Sequence, residues 1–557
     1  MSVPRVNGND HGVLRVPELG SWTPTLTVTV VIPAHGGQKT LDLTLAALSA
    51  QSYPAHLLDV VVVDDGSAPP LTSPPVAPAR TRLIASPPGG WGRAWAVQAG
   101  VDAATGDVVF VLDNDMVPHR EHVEAQLRWH HVAPYLVVLG WIDFTCDTVL
   151  PAPSEVREAL DAGNEDKLFR LSPHRHDWAE EIISATDGLR AASGELASRV
   201  HVGATVSYPA ALLRRAGGMD TSLVLAEDTE LGFRLVQAGA VFVPERRSRA
   251  WHVGLPTAMR EWAALKRYND PFVADRVPYR RYLREEQGRQ WLVPYVECAV
   301  APAGYEDVRA TVDGLLASTL PDVRVSVVGP WERLRADRRP PLQDPDLDLR
   351  LVHACFEHDP RVRLAGAFAP GSAPFRLTVP PGWVPEAGTV QAMVEHLDEQ
   401  GLGLLCVALD ENERGVVVAR LERTAATARA ELLAEPGEPL DDVVHEVFGV
   451  EWSDGESWGF RRRPRVYPPR RRPVPELERV AAEHEKEVAA LRQRAAALQS
   501  EMKQLRREAG KGRRDAARWR DKAEAWRREA VRLSRARERT MLKRAVRKVR
   551  DLAFPGD

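Results

Sequence analysis

GDVVFVLDNDM, residues 106–116, decides the fold. Val108 to Leu112 run without a polar break, as a strand buried on both faces does, and end in Asp113-Asn114-Asp115. Outward from it, LDVVVVDDGS (58–67) has the same form and ends in Asp64 and Asp65. TVTVVIP (27–33) is a third apolar, β-branched run, closed by Pro33 and followed by Ala34. Residues 39–51 place Leu41, Leu45 and Leu48 at helical spacing. Strand–helix–strand alternation predicts a parallel α/β sheet, and such sheets bind ligands beyond the carboxyl ends of their strands.

Carboxylates at those ends suggest a chemistry. Two aspartates one residue apart can place oxygens on a hard divalent cation, which can clamp a diphosphate and neutralise a leaving phosphate. A surface turn rich in Asp and Asn has the same composition, so the motif gains weight from its place directly after VVFVL. Downstream, LAEDTELGFRLVQAG opens a helix with Glu227-Asp228, and AWHVG brings His252 after another short strand. Acidic residues at a helix start also serve as plain caps, and a single histidine is commonly just packed.

VTVVIPAHGG, VVVVDDGS, VVFVLDNDM, GGMD, LAEDTELGFRL and AWHVG follow one another from Val28 to Gly254. In that order they resemble the inverting family-two glycosyltransferases of the GT-A fold. GGMD, EDTELGFRL and WH are most similar to the galactosyl- and N-acetylgalactosaminyl-transferase branch, including chondroitin-polymerase-like enzymes. The resemblance implies that Asp65, supported by Asp64, grips the nucleotide base, with the backbone at Pro33 and Ala34 against the nucleoside. It implies Asp113 and Asp115 as the metal motif around Asn114, His252 completing the metal shell, and Mn²⁺ or Mg²⁺ as the ion. Asp228 matches the general base, with Glu227 beside it. The implied donor is a nucleotide diphosphate sugar, uridine diphosphate being the family's commonest carrier. The implied acceptor is a glycan or lipid-linked hydroxyl, as in cell-surface polysaccharide synthesis.

Some positions depart from the pattern. Gln98 stands where the family often has Asn, and Thr205 where an asparagine is common, which bears on sugar identity. PPGGWGRAW (87–95) carries Arg93, a candidate diphosphate contact. Residues 144–199 match no pattern. Their HRHDW (174–178) lacks the spacing of a standard ligand set and reads as an acceptor-side loop.

Residues 297–409 repeat the first domain in degenerate form. ECAVAPAGYEDVRATVDGLLASTLPDVRVSVVGP parallels TVVIPAHGG…VVVVDDG, and FRLTVPPGWVPEAGTVQAMVEHL parallels VFVLDNDMVPHREHVEAQLRWHH. Pro380-Pro381-Gly382-Trp383 replaces the metal motif, and Val328-Gly329-Pro330 replaces the DDG. The expectation is a second α/β domain that keeps the apolar strands and holds no cation.

RRRPRVYPPRRRP (461–473) is an extended Pro/Arg linker. From Leu477 a heptad seam runs through Ala481, Val488, Ala495 and Met502, predicting a coiled coil that joins copies of the chain. RARERTMLKRAVRKVRDLAF (535–554) is a basic amphipathic helix fitted to an anionic membrane surface, with no specific nucleic-acid site expected. The expected organisation is an extension (1–26), the GT-A domain (27–290), a degenerate GT-A-like domain (291–460), the linker (461–475) and the coiled coil (476–552).

The 557 residues are 44% hydrophobic and 27% charged, ordinary for a chain with a large core. The four cysteines have no zinc or redox spacing, no apolar run reaches the ~20 residues of a membrane span, and the N-terminus lacks a signal-peptide pattern. A cytoplasmic location, peripheral at most to a membrane, is the expectation. Two other functions fit the same fold: a nucleotide-sugar-binding scaffold organised by the coiled coil, and a nucleotidyltransferase, for which PAHGGQKT with Lys39 is a poor phosphate loop.

Overall fold

The computed structural model describes residues 3–284, 289–334, 340–368, 371–413 and 415–463, with isolated positions beyond 485. The heptad seam and the basic amphipathic end lie outside the described residues. By internal contacts the chain divides at Arg463/Pro464.

The apolar runs of the first half become strands β1 (Val28–Ala34), β2 (Leu58–Asp64), β3 (Thr81–Ala85) and β4 (Val108–Leu112). They are joined by β5 (Met116–Pro118), β6 (Leu136–Thr145), β7 (Thr205–Pro209) and β8 (Val241–Val253). Among the described residues these form an eight-stranded sheet in the order β3-β2-β1-β4-β7-β6-β8-β5. β1 pairs in parallel with both β2 and β4, whereas β7 runs antiparallel to β4 and β6. The sheet is therefore mixed. β1 and β4 are buried along their whole length because helices cover both faces, which is why their sequences are continuous rather than alternating. Helix Gln38–Leu48 buries Leu41, Leu45 and Leu48 against this sheet, as their spacing predicts.

The second half forms β9 (Val296–Val300), β10 (Val323–Val328), β11 (Val362–Ala365), β12 (Phe375–Thr378), β13 (Trp383–Pro385), β14 (Leu404–Asn412), β15 (Gly415–Arg423), β16 (Val450–Asp454) and β17 (Phe460–Arg462). Seven of these make a sheet ordered β11-β10-β9-β12-β15-β14-β16, and β13 pairs with β17. Order and direction repeat those of the first sheet: β9 is parallel to β10 and β12, and β15 is antiparallel to β12 and β14. The register repeats as well. Val28 faces Val108 and Val296 faces Phe375, so Pro380, Pro381 and Gly382 follow β12 where Asp113, Asn114 and Asp115 follow β4. Met116 pairs with His252, and its counterpart Trp383 pairs with Arg462. An arginine thus stands at the register position of the histidine, beside a glycine in place of Asp115.

The halves share a core. Leu136, Val138, Val241 and Val243 of the first sheet pack with Leu404, Cys406, Ala426 and Ala430 of the second half. Arg429 crosses this boundary. It is 2% exposed, donates to the carbonyls of Gly239 (2.9 Å) and Ala240 (2.8 Å), and also reaches Val6 and Gly8. The N-terminal extension is part of the same packing. Val6 is buried, and Asn9 bonds the backbone of Leu189 and Phe242. No described helix is long and apolar enough to cross a membrane, and all four cysteines are free.

Candidate active site

The carboxyl edge of the first sheet gathers most of the residues singled out in the sequence. β1 ends at Pro33-Ala34, and the Ala34 carbonyl accepts from the Asp65 amide at 2.8 Å, which registers the ends of β1 and β2. His35-Gly36-Gly37 then turns the chain. Gly36 and Gly37 have φ of +68° and +69°, a left-handed conformation that favours glycine, and a Cβ on Gly37 would meet Asn114 Nδ2 at 2.9 Å.

Asp64 and Asp65 have different tasks. Asp64 accepts from the amides of Ser67 (2.8 Å) and Leu71 (3.0 Å) and so shapes the loop behind the site. Burial disfavours its charge, but these bonds and the Ser67 hydroxyl hold it below the usual carboxylate range. Asp65 accepts from Ser86 Oγ (2.7 Å) and from the Gly92 amide (2.6 Å), which ties the glycine-rich loop to the end of β2. Asn114 reaches the Gly36 carbonyl at 3.3 Å, so its side chain braces the turn.

Arg93 is the hub. Its Nε and Nη2 donate to Asp113 Oδ1 at 3.0 and 2.9 Å, its Nη1 donates to Glu227 Oε1 at 2.9 Å, and its Nη2 also donates to the Gly203 carbonyl at 2.6 Å. Burial works against the charge, but Asp113, Glu227 and Asp228 outweigh it and raise the guanidinium above the ordinary arginine range. The candidate diphosphate contact thus joins the DxD loop to the start of helix Glu227–Gln237. Gly203 is small for a reason, since a Cβ there would meet both terminal nitrogens of Arg93 at 2.8 Å.

Asp115 and His252 come together. Thr145, Gly254, Asp115 and Val253 are laced by amide bonds, and His252 Nε2 stands 3.7 Å from Asp115 Oδ1. His252 Nδ1 faces the Gly254 carbonyl at 3.0 Å. A carbonyl only accepts, so Nδ1 carries a proton, and Nε2 is left facing Asp115 as the nitrogen that could ligate a metal. Burial raises Asp115 above its ordinary range, His252 opposes this, and Asp113 adds to it. Crowded carboxylates beside an imidazole nitrogen are a donor set suited to a divalent cation. Among the described residues no three such side chains already stand as one shell, because Asp113 faces Arg93 instead.

Helix Glu227–Gln237 starts from Ala226, whose φ of +64° is costly for a residue with a Cβ and marks a tightly specified turn. Glu227 is buried on Arg93. Burial, then Asp228, push it upward, with Arg93 opposing. Asp228 accepts from the Thr229 amide (2.7 Å) and lies 3.4 Å from the Gly203 amide. Its own carbonyl faces His201 Nδ1 at 2.7 Å, and His201 Nε2 meets the Tyr208 hydroxyl at 2.8 Å, which locks the helix start onto β7.

Sequence reading missed several of these links. Thr205 turns its hydroxyl into the core, onto His122 Nε2 at 2.7 Å. Gln98 accepts from the Met219 amide at 2.7 Å and so positions the GGMD turn. In HRHDW, His174 is exposed, but the His176 ring lies 5.1 Å from Phe144, which lies 5.2 Å from His252. Burial, then His252, lower His176 to about 4, with Asp228 opposing, so the ring is neutral at pH 7. The sequence singled out HRHDW as a loop but gave no sign that His176 alone packs beside His252.

Residues 29–178 match the model of the family Glycosyl transferase family 2. The pre-mycofactocin glycosyltransferase of Mycobacterium tuberculosis is 30% identical over 250 residues, 43% of this chain and 45% of that protein. The validoxylamine A glucosyltransferase of Streptomyces hygroscopicus subsp. limoneus is 29% identical over 269 residues, 45% of this chain and 56% of that protein. The chain spans about half the length of these relatives. A solved structure of the mannosyltransferase PcManGT from Pyrobaculum calidifontis, in complex with GDP-Man and Mn²⁺, aligns over 48% of this chain and 67% of its own, at 18% identity and a TM-score of 0.30. These names do not single out the galactosyl and N-acetylgalactosaminyl branch. The stretch that matches the Glycosyl transferase family 2 model, residues 29–178, runs from β1 through β6 of the mixed sheet, so this part of the chain is similar to a family-two glycosyltransferase domain.

Proposed function

We propose that the protein is a metal-dependent, inverting glycosyltransferase that moves a hexose from a nucleoside diphosphate sugar to an acceptor hydroxyl. One observation carries this reading: the Asp113–Arg93–Glu227 bridge holds the DxD loop and the start of the Asp228 helix at one sheet edge, where Asp115 also meets His252. Asp115 and His252 would hold Mn²⁺ or Mg²⁺ together with donor oxygens, and the ion would neutralise charge on the leaving diphosphate. Asp65 and the Pro33–Ala34 backbone form the wall for the nucleoside. Asp228 accepts the proton of the acceptor hydroxyl as it attacks the anomeric carbon, a role that needs hydrogen-bond reach in the loaded site. Attack from the side opposite the leaving group inverts that carbon. Glu227 and Arg93 act through Asp113 and Asp228 by fixing their places.

A uridine diphosphate donor remains the first choice. The acceptor reading includes glycan and lipid-linked hydroxyls, and similarity to a validoxylamine A glucosyltransferase adds small polyhydroxylated rings. The second half reads as a degenerate copy: its sheet repeats the first, while Gly382 and Arg462 stand where the ion would need Asp115 and His252, and Pro380 stands where Arg93 would need Asp113.

Incubation of the full chain with a panel of nucleotide sugars, with and without Mn²⁺, tests the reading. Metal-dependent release of nucleoside diphosphate supports it. Release of pyrophosphate would assign nucleotidyl transfer instead, and binding without any turnover would favour a scaffold.

A further inference from the structure

The segment between β6 and β7 is anchored at the site rather than draped beside it. The Ser172 amide donates to the Phe144 carbonyl at 2.8 Å, and the His174 amide to Ser172 Oγ at 3.2 Å. Helix Asp177–Ala185 follows, and it buries Ala179 and Ile183 in the core of the first sheet. These anchors fix His176 and Trp178 on a rigid element.

The two side chains lie next to site residues, His176 against Phe144 and Trp178 against His176. Phe144 is the register partner of His252 across β6 and β8, and its ring lies between the imidazoles of His252 and His176. The His176 ring nitrogens make no hydrogen bond with a described residue, although the ring is half-buried. Trp178 lies 6.2 Å from His176 and is 44% exposed, so its indole face is open to a ligand beside that imidazole. Sheet order separates these residues from the nucleoside wall. Asp65 lies at the end of β2, on the β1 side of β4, whereas Phe144 and His252 lie on β6 and β8, beyond β7.

We propose that His176 and Trp178 form the acceptor subsite, with Trp178 stacking on the apolar face of a saccharide or cyclitol ring and His176 hydrogen-bonding one of its hydroxyls. This rests on the glycosyltransferase reading for its setting, but the stacking itself needs no turnover. A sugar ring has an apolar C–H face and a polar rim, which matches an exposed indole flanked by an imidazole with free nitrogens. The acceptor class that follows is a polyhydroxylated six-membered ring rather than a bare lipid chain or a peptide.

The test uses the full chain loaded with UDP and Mn²⁺, and 4-nitrophenyl hexosides (gluco, galacto and manno) as probes, with binding followed by saturation-transfer NMR. At least one hexoside should bind the unaltered protein. Trp178→Ala should weaken that binding at least tenfold and Trp178→Phe by less, while His176→Ala should weaken it several-fold and His176→Asn should recover part. Calorimetric affinity for UDP with Mn²⁺ should stay within twofold in all four variants, which also shows that they fold. Equal hexoside binding by the variants, loss of UDP affinity along with it, or no hexoside binding at all would overturn the proposal. Failure of the broader reading looks different: hexosides would still bind through Trp178, yet no nucleotide sugar would release its diphosphate.

Discussion

Replacing Arg93 by Met removes the cation that Asp113 and Glu227 share. Glu227 is the sensitive partner, with its side chain 6% exposed against 25% for Asp113 and 25% for Arg93. Removing one member of a buried pair costs about 3–5 kcal/mol, because the other charge stays buried alone. Partial exposure of Arg93 puts the expected loss near the lower end, about 3 kcal/mol. With about 2 °C per kcal/mol for a large folded unit, Tm should fall by ~6 °C. The loss depends on pH with a definite sign. Burial, then Asp228, already raise folded Glu227 above its unfolded value, with Arg93 opposing. A raised carboxyl favours the folded state most below the unfolded pKa, and that advantage disappears as pH rises through the folded pKa. Without Arg93 the folded value rises further. The deficit of Arg93→Met should therefore be smallest near pH 5 and grow toward pH 8, and adding Glu227→Gln should recover most of it. Differential scanning calorimetry across that range is the assay. A Tm within ~2 °C of the unaltered protein at every pH, or no recovery in the double variant, would refute the reasoning.

Other consequences follow from the same geometry. Asp115→Ala, or a chelator with the unaltered protein, should lower donor turnover by a hundredfold or more, since each ~1.4 kcal/mol lost from the transition state is tenfold; full activity in both would remove the cation from the account. Titration calorimetry of UDP with Mn²⁺ on the full chain should give one metal-dependent site, because Gly382 and Arg462 occupy the second half's counterpart positions; two equivalent sites would contradict the degenerate reading. Arg429→Met should strand the carbonyls of Gly239 and Ala240 at the junction of the halves, at about 1–3 kcal/mol for each buried acceptor left without a partner, and lower Tm accordingly.

The strands of the first half were legible because burial on both faces writes itself as unbroken Val and Ile, and the clustering of Asp65, Asp113 and Asp115 because each follows such a run at the same sheet edge. The second half is written differently: Val323–Val328 and Phe375–Thr378 interrupt their apolar residues with Arg324, Ser326 and Arg376, and bury Val323, Val325, Val327, Phe375 and Leu377. What the sequence hid depends on distance or direction. Arg93 reaches a carboxylate 134 positions away, which no local pattern signals. Thr205 could have faced the sugar or the core, and only the register of β7 turns its hydroxyl onto His122. Asn9 has no periodic context, yet its amide pairs with Phe242 as a strand would.

The central claim is that Asp228 takes the acceptor proton at an edge whose donor contacts are made by other residues. Asp228→Asn tests it directly, with donor affinity by calorimetry and sugar transfer by nucleoside diphosphate release measured on the same preparation. The account predicts donor affinity within a few-fold of the unaltered protein and transfer reduced by a hundredfold or more. Transfer that survives within a few-fold, at unchanged donor affinity, would place the base elsewhere and contradict it.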